Sequence, residues 1–472
     1  MIIDYDYEGE INRLFELQTK NVVRLRTSSI NDRIMKLKKL KEYIWENKEK
    51  IQEVVYRDLK KPSEEVLLTE IYPVISEIKY VIKNLKKWTR LQKMTTPISL
   101  FGAKSYYRFE SKGVVLIISP WNYPFQLSIG PLITAIAAGN AVILKPSELS
   151  LNTSGYLKKL AVDVFDESEV AVIEGDAIVA QKLLEKSFNH IFFTGSTKIA
   201  KSVLQKASSS LSSITLELGG KSPVIIDDKF DINEAAKKIT WGKYLNAGQT
   251  CIAPDYVFVK KDLIGDFVNY LKHYIKKYYY SDGSERCTSY CSIINKQHFN
   301  RLKSVFDITV KEGAKVCEGG QFIEEECYIS PTVLTDMGID SHIMEEEIFG
   351  PILPVLPYED INDVIRYINS KPTPLVLYVF SRDRKFYTNI VNHVISGDCL
   401  INDVIAHYAN HKLPFGGHNA SGIGKSHGFY GFKEISHLRS IMIQPKYTMI
   451  QLLYPPYNDF IKKLIIWSTK YF

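Results

Sequence analysis

Cys251 lies in Gln249-Thr250-Cys251-Ile252-Ala253-Pro254-Asp255-Tyr256, with no second cysteine or histidine close by to share a metal ion. A thiol among Gly248, Gln249 and Thr250 suits an accessible loop, where it can act as a nucleophile; an inert buried thiol is the alternative. Glu217 stands 34 residues earlier, in Glu217-Leu218-Gly219-Gly220-Lys221. A cysteine that attacks a carbonyl needs a base and a donor for the oxyanion. Glu217 can serve as the base, or can simply pair with a lysine. Asn122, in Ser119-Pro120-Trp121-Asn122-Tyr123-Pro124, carries an amide that can donate to an oxyanion. It can equally be a turn residue between two prolines.

These residues need a frame, and the hydrophobic pattern supplies one. Residues 7–95 repeat apolar positions at three and four, as long helices do. From residue 113 the texture changes. Gly113–Ile118, Ala141–Leu144 and His190–Phe193 read as buried parallel strands, alternating with helices over Ser128–Ala138, Ser154–Val164 and Thr197–Ala207. The alternation predicts an α/β protein with an open, doubly wound sheet that binds a nucleotide. A second series begins after Gly219-Gly220. It has strands at Pro223–Ile226, Tyr256–Val259, Ile352–Val355 and Leu375–Phe380, and a helix over Ala235–Asn246 capped by Asp231. Residues 101–112 and 438–445 alternate as a two-sided ribbon, either a surface hairpin or an edge that completes a partner's sheet.

Further motifs fall at strand ends, where open α/β sheets place ligands. Lys145-Pro146-Ser147-Glu148 can hydrogen-bond a ribose, or can be a charged helix start. Phe193-Thr194-Gly195-Ser196 opens a helix whose first N–H groups can hold a phosphate, although it is no GxGxxG fingerprint. Glu345-Glu346-Glu347-Ile348-Phe349-Gly350-Pro351 reads as a solvated acidic helix end. Leu413–Gly424 is glycine-rich and lacks the ending of a P-loop, so it either shapes a pocket with Phe415 or is a flexible surface loop.

Composition narrows the classes. Hydrophobic residues at 45% and charged residues at 24% are ordinary for a globular chain, and 472 residues suffice for two or three domains. The net charge of +7 is dispersed and forms no nucleic-acid arm. Six cysteines in so long a chain make no disulfide framework, and Cys287 and Cys291 lack a second ligand pair at zinc spacing, so no metal site is expected. The N-terminus is acidic and has no signal-like apolar core, which points to the cytoplasm.

Taken in order, the motifs resemble the NAD(P)-dependent aldehyde dehydrogenase superfamily from about residue 10 to residue 445, and within it the class 3, fatty-aldehyde branch. The branch resemblance rests on the short N-terminal lead, the wording Cys251–Tyr256 and the tail Tyr454-Pro455-Pro456-Tyr457. The resemblance implies two doubly wound domains and a small β-ribbon oligomerisation element. A cofactor domain would span residues 1–100 and 113–218, and a catalytic domain 219–398. Residues 399–437 would return to the cofactor domain and supply an active-site loop. Residues 101–112 and 438–448 would form the bridging strands of a homodimer, and 449–472 an amphipathic tail.

The same resemblance implies roles. Cys251 would be the nucleophile and Glu217 the general base. Asn122 and the Cys251 amide would bind the oxyanion. Trp121, Lys145, Glu148, Gly195, Ser196, Glu347 and Phe349 would contact NAD, with NADP an alternative. Tyr123 and Phe415 would wall an aldehyde pocket for medium- or long-chain aliphatic, or aromatic, substrates. Ala200 stands where many members carry a second glycine, which implies a changed approach to the pyrophosphate. His418-Asn419-Ala420 alters the late loop. The cofactor's positive charge and a nearby helix N-terminus are the expected sources of thiolate stabilisation. A coenzyme A-acylating enzyme and a non-catalytic NAD-binding homologue are the rivals, and Glu217 argues against the first. In the tail, Phe460, Leu464, Trp467 and Tyr471 form one helical stripe, which can pack on its own domain, on a partner subunit or on a membrane surface from residue 458 onward.

Overall fold

The computed structural model describes residues 6–97, 100–280, 289–448, 450–451 and 454–471. Its first part is helical: Tyr7–Arg26, Ile30–Glu46, Lys48–Leu59 and Tyr72–Thr89. Ser29 and Asp32 form a reciprocal capping box at the second helix. A π-helical turn over Leu67–Ile71 precedes the last helix. Leu37, Leu40, Ile51, Val55, Ile78 and Val81 point inward from these helices and are fully buried against one face of a sheet.

The strands follow in chain order as β1 (Gln92–Met94), β2 (Lys104–Ser111), β3 (Val114–Ile118), β4 (Ala141–Lys145), β5 (Val170–Val172), β6 (His190–Gly195) and β7 (Ser213–Leu218). β3 to β7 form one sheet with the order β7-β6-β3-β4-β5, all parallel. The chain starts in the middle, builds outward to β5, then returns to the other side of β3. The strand order therefore reverses between β3 and β6, and a crevice opens there at the carboxyl ends. The strands expected at 113–118, 141–144 and 190–193 are present with shifts of a residue or two. So are their helices, now Gln126–Ala138, Leu151–Val164 and Thr197–Ser209.

Past Gly219-Gly220 the chain enters a second sheet. Its strands are β8 (Pro223–Ile226), β9 (Tyr256–Lys260), β10 (Lys315–Glu318), β13 (Thr332–Thr335), β14 (Ile352–Tyr358), β15 (Val376–Phe380) and β16 (Asp398–Ile401), after a two-stranded ribbon of β11 (Phe322–Ile323) and β12 (Tyr328–Ile329). The order is β10-β13-β14-β9-β8-β15-β16. Asp231 caps the helix Ile232–Tyr244 as expected, accepting from the Asn233 and Glu234 amides. β17 (Gly422–Ile423) then returns to the first sheet and pairs with β7, setting Gly422 opposite Glu217. The late loop is thus ordered backbone built into a sheet, not a flexible surface loop.

β18 (Ser436–Ile443) pairs along its whole length with β2, and β1, which the sequence pattern did not suggest, covers the other side of β2. β18 has a neighbour on one side only within this three-stranded sheet. The tail helix Asp459–Tyr471 has no buried residue. Among the described residues no helix is long and apolar enough to cross a membrane. The residue Cys287 lies outside the described residues, and Cys291 is buried in the second core.

Candidate active site

Three consecutive residues, Asn246, Ala247 and Gly248, take left-handed backbone (φ 54°, 49° and 71°) just ahead of Gln249. A Cβ at Gly248 would lie 2.3 Å from the Gly350 carbonyl oxygen, so only glycine fits. The tight coil is held by side chains. Gln249, fully buried, donates to the Asn246 and Ser292 carbonyls and accepts from the Ile294 amide. The Tyr378 hydroxyl donates to the Ile252 carbonyl at 2.6 Å. Cys251 is thereby fixed in a turn, half-buried, facing a cavity of about 210 Å³.

Glu217 lines the same cavity from β7. It is buried, and neither carboxyl oxygen has a hydrogen-bond partner among the described residues. Burial pushes its carboxyl up to about 8; Ser426 and Lys425 nearby offset part of this, while Asp398 and Glu434 add to it. The late loop comes close because Gly416 has no side chain: a Cβ there would sit 3.0 Å from Glu217 Oε1. Burial, then the Glu347 and Glu217 carboxyls, push the Cys251 thiol up to about 12. No helix starts at Cys251, and the start of the helix Gln126–Ala138, which borders the cavity, is taken: the Phe125 and Gln126 amides donate to the Glu70 carboxylate at 3.1 and 2.9 Å. That helix start is not free to stabilise the Cys251 thiolate.

Asn122 is buried behind the cavity wall. Its amide donates to the Gln249 carbonyl at 3.0 Å, two residues from Cys251. Its own carbonyl accepts from Asn246 and from Lys61. Lys61 and Glu70 form a fully buried ion pair at 2.7 Å. Lys61 also lies 4.1 Å over the Tyr123 ring, whose hydroxyl bonds Thr250 at 2.7 Å. Tyr123 and Phe415 both line the cavity. Neither the Lys61–Glu70 pair nor Gln126, Trp241, Tyr408, His411 and His427 in the lining was found from sequence. Tyr408 and His411, just ahead of Pro414-Phe415, are the signal that could have shown it.

Of the remaining expected residues, Lys145 and Gly195 end strands of the first sheet, whereas Glu347 and Phe349 lie in the segment ahead of β14. Lys145, at the end of β4, is paired with Glu148 at 2.7 Å. Gly195 ends β6; a Cβ there would lie 2.6 Å from the Phe193 ring. Ser196 caps the following helix, and Ala200 is buried in its first turns. Trp121 packs edge-on against Phe349 at 5.5 Å. Phe349 itself has φ 49°, an uncommon conformation for a bulky residue. Glu347 is half-buried, whereas Glu345 and Glu346 are exposed, and the segment follows a short 3₁₀ turn and is not the helix end the sequence suggested. Gly219 makes room for Glu347, whose carboxylate lies 2.1 Å from where a Cβ would be. Burial and the neighbouring Asp255 push Glu347 up to about 8. Lys221 ties this segment down, pairing with Asp255 at 2.6 Å and donating to the Ile343 and Glu346 carbonyls.

A thiol and a buried carboxyl thus face one cavity in a chain built on two α/β sheets. The chain belongs to the aldehyde dehydrogenase family, whose model matches residues 7–441. It is 42% identical to the 4,4'-diaponeurosporen-aldehyde dehydrogenase of Staphylococcus aureus, over 93% of this chain and 94% of that one. Aldehyde dehydrogenase family 3 member A2 of Pongo abelii is 40% identical, over 91% of this chain and 88% of that one. The solved substrate-bound state of Staphylococcus aureus AldH superposes with a TM-score of 0.92 at 40% identity, covering 97% of this chain and 99% of that one. The protein oxidises an aldehyde to the carboxylic acid.

Proposed function

We propose that this oxidation runs through Cys251 as nucleophile and Glu217 as base, and that the substrates are medium- or long-chain aliphatic, or aromatic, aldehydes. The observation that carries the proposal is the shared cavity of about 210 Å³ onto which both side chains open. Much of the rest of its wall is apolar: Leu68, Tyr72, Leu127, Trp241, Ile405 and Phe415. An alkyl or aryl tail buries there with ~0.8 kcal/mol per methylene in its favour.

The Cys251 sulfur adds to the aldehyde carbonyl. The oxyanion would be met by the Cys251 amide and by the second N–H of the Asn122 side chain, whose first N–H already donates to the Gln249 carbonyl, each donor worth about 3 kcal/mol in the transition state. The crevice would hold NAD+ (or NADP+), with Lys145, Glu148, Gly195 and Ser196, at the ends of β4 and β6 on either side of β3, as its candidate contacts, and Trp121, Glu347 and Phe349 as further candidates; the cofactor would supply the acceptor for the hydride that leaves the thiohemiacetal carbon. Glu148 beside a ribose disfavours an added phosphate and so favours NAD. Glu217 then takes a proton from the water that attacks the thioester, and the acid leaves.

Pre-steady-state kinetics test the assignment. Cys251→Ala should abolish NADH formation while NAD+ binding persists. Glu217→Gln should keep the initial burst of NADH and lose most steady turnover. A Glu217→Gln protein with no burst, or with wild-type turnover, would remove Glu217 from the hydrolytic step. A substrate panel run with both cofactors reads the aldehyde class and the cofactor preference.

The partner is a second copy of this chain, met along the free edge of β18, where Leu438, Met442 and Ile443 are exposed. The tail stripe of Phe460, Leu464, Trp467 and Tyr471 would continue that contact. A peripheral membrane contact of a cytoplasmic protein through residues 458–472 is the second reading, favoured by Lys462, Lys463 and Lys470 beside an exposed aromatic stripe.

A further inference from the structure

Two segments far apart in sequence meet at one end of the substrate cavity. Glu77 comes from the helix Tyr72–Thr89, and His411 and His427 flank the late loop. One ligand atom from each lies within 4.8 Å of the other two. We infer that Glu77, His411 and His427 form a binding site for a zinc-type divalent cation in the cavity wall.

Glu77 Oε2 and His411 Nδ1 form a buried ion pair at 2.7 Å, with His411 hydrogen-bonding the carboxylate. A cation bound between them would take the place of the shared proton, with each ligand atom ~2.1 Å from it.

The outer atoms of the same groups are fixed, as second-shell contacts fix metal ligands. Glu77 Oε1 accepts from the Gly428 amide at 2.7 Å. His411 Nε2 shares a hydrogen bond with Ser76 Oγ at 3.0 Å. His427 holds the third position at the cost of an unusual backbone, φ 69° and ψ 144°, a region that glycine mostly occupies. Gly428, at φ 50°, cannot carry a side chain either, since a Cβ would meet the His411 carbonyl oxygen at 2.1 Å.

Two imidazoles and one carboxylate are a donor set that suits zinc and its neighbours in the first transition row. His411 and His427 both line the cavity, so an ion held between them would lie against the space the aldehyde tail would occupy. A bound ion would clamp the helix Tyr72–Thr89 to the late loop and shorten the cavity.

The test uses the full chain with Cys251→Ser, which removes the competing cavity thiol. Zn2+ is titrated by calorimetry, and Co2+ by visible absorption. The expected result is one Zn2+ equivalent that is lost, or bound at least about tenfold more weakly, in both Glu77→Gln and His427→Asn, with a four-coordinate Co2+ spectrum that disappears in the same variants. His427→Asn, checked for an unchanged near-ultraviolet spectrum, decides the matter if Glu77→Gln does not fold. Equal uptake of Zn2+ by parent and His427→Asn, or no uptake by the parent, overturns the site.

Discussion

Cys251 at about 12 and Glu217 at about 8 are both protonated at neutral pH in the cofactor-free chain, chiefly because burial penalises their charged forms. They titrate about 4 apart, so moving the proton from thiol to carboxylate costs ~5 kcal/mol before a cofactor binds. Cysteine alkylation reads this directly. Without cofactor, the rate at Cys251 should climb about tenfold per pH unit between about pH 7 and about pH 9; a plateau in that range would contradict a thiol held so high. Saturating NAD+ should raise the rate, since a positive charge beside the sulfur favours the thiolate. For Glu217 the sign is fixed by the same burial. Its folded value is raised, so the native state keeps the proton that the unfolded chain loses. The stability this gives is complete at acid pH and lost as pH rises through about 8. Denaturation series should show wild type losing ~1.4 kcal/mol per pH unit against Glu217→Gln from the ordinary carboxylate range up to that point. Thioester hydrolysis should move oppositely, rising with pH over the same range, because only the ionised carboxyl can take a proton from water.

At the scale of elements, the site depends on how strand ends and turns are braced. The π-helical turn Leu67–Ile71 carries Glu70 inward, where it caps the helix Gln126–Ala138 and pairs with Lys61. Lys61 in turn holds the Asn122 carbonyl. Lys61→Met should leave a buried carboxylate alone and cost ~3–5 kcal/mol in chemical denaturation, and Lys61→Met with Glu70→Gln should recover part of it. If the single and double variants were equally stable, the pair would not be coupled. This brace was not legible in the sequence. Lys61 and Glu70 sit in a helical region full of exposed lysines and glutamates, and nothing in periodicity marks the two that are buried. By contrast, the strands around Val114, Ala141, His190 and Pro223 were legible, because a parallel strand buried on both faces must be a continuous apolar run. Cys251 and Glu217 could be singled out as candidates from the polar turn around Gly248–Thr250 and the Gly219-Gly220 bend, and both line one cavity. β1 was missed because three residues, Gln92–Met94, carry too little alternation to register. Phe349 and Glu347 were read as part of an acidic helix end, since their placement depends on Gly219 and Asp255, over ninety residues away in sequence.

At the scale of the molecule, the three-stranded sheet ends in a free edge at β18, and the tail helix is unburied. β18 has an unpaired side, and an edge of this length with exposed Leu438, Met442 and Ile443 is a template for another strand unless something covers it. The tail adds Phe460 at 72%, Trp467 at 52% and Tyr471 at 62% exposure. Apolar surface of this extent marks an interaction site, and an isologous contact between two copies would cover both features at once. Light scattering should therefore give the mass of a dimer. Leu438→Lys with Met442→Lys should shift it to a monomer, since charges on an edge strand oppose pairing, while circular dichroism stays unchanged. Deleting residues 458–472 should weaken the dimer and leave liposome co-sedimentation as it was. A deletion that kept the dimer intact and abolished co-sedimentation would assign the tail to a membrane surface instead. The two outcomes separate because a strand edge holds its partner through backbone hydrogen bonds, whereas the tail has only side chains to offer, to a protein or to a lipid.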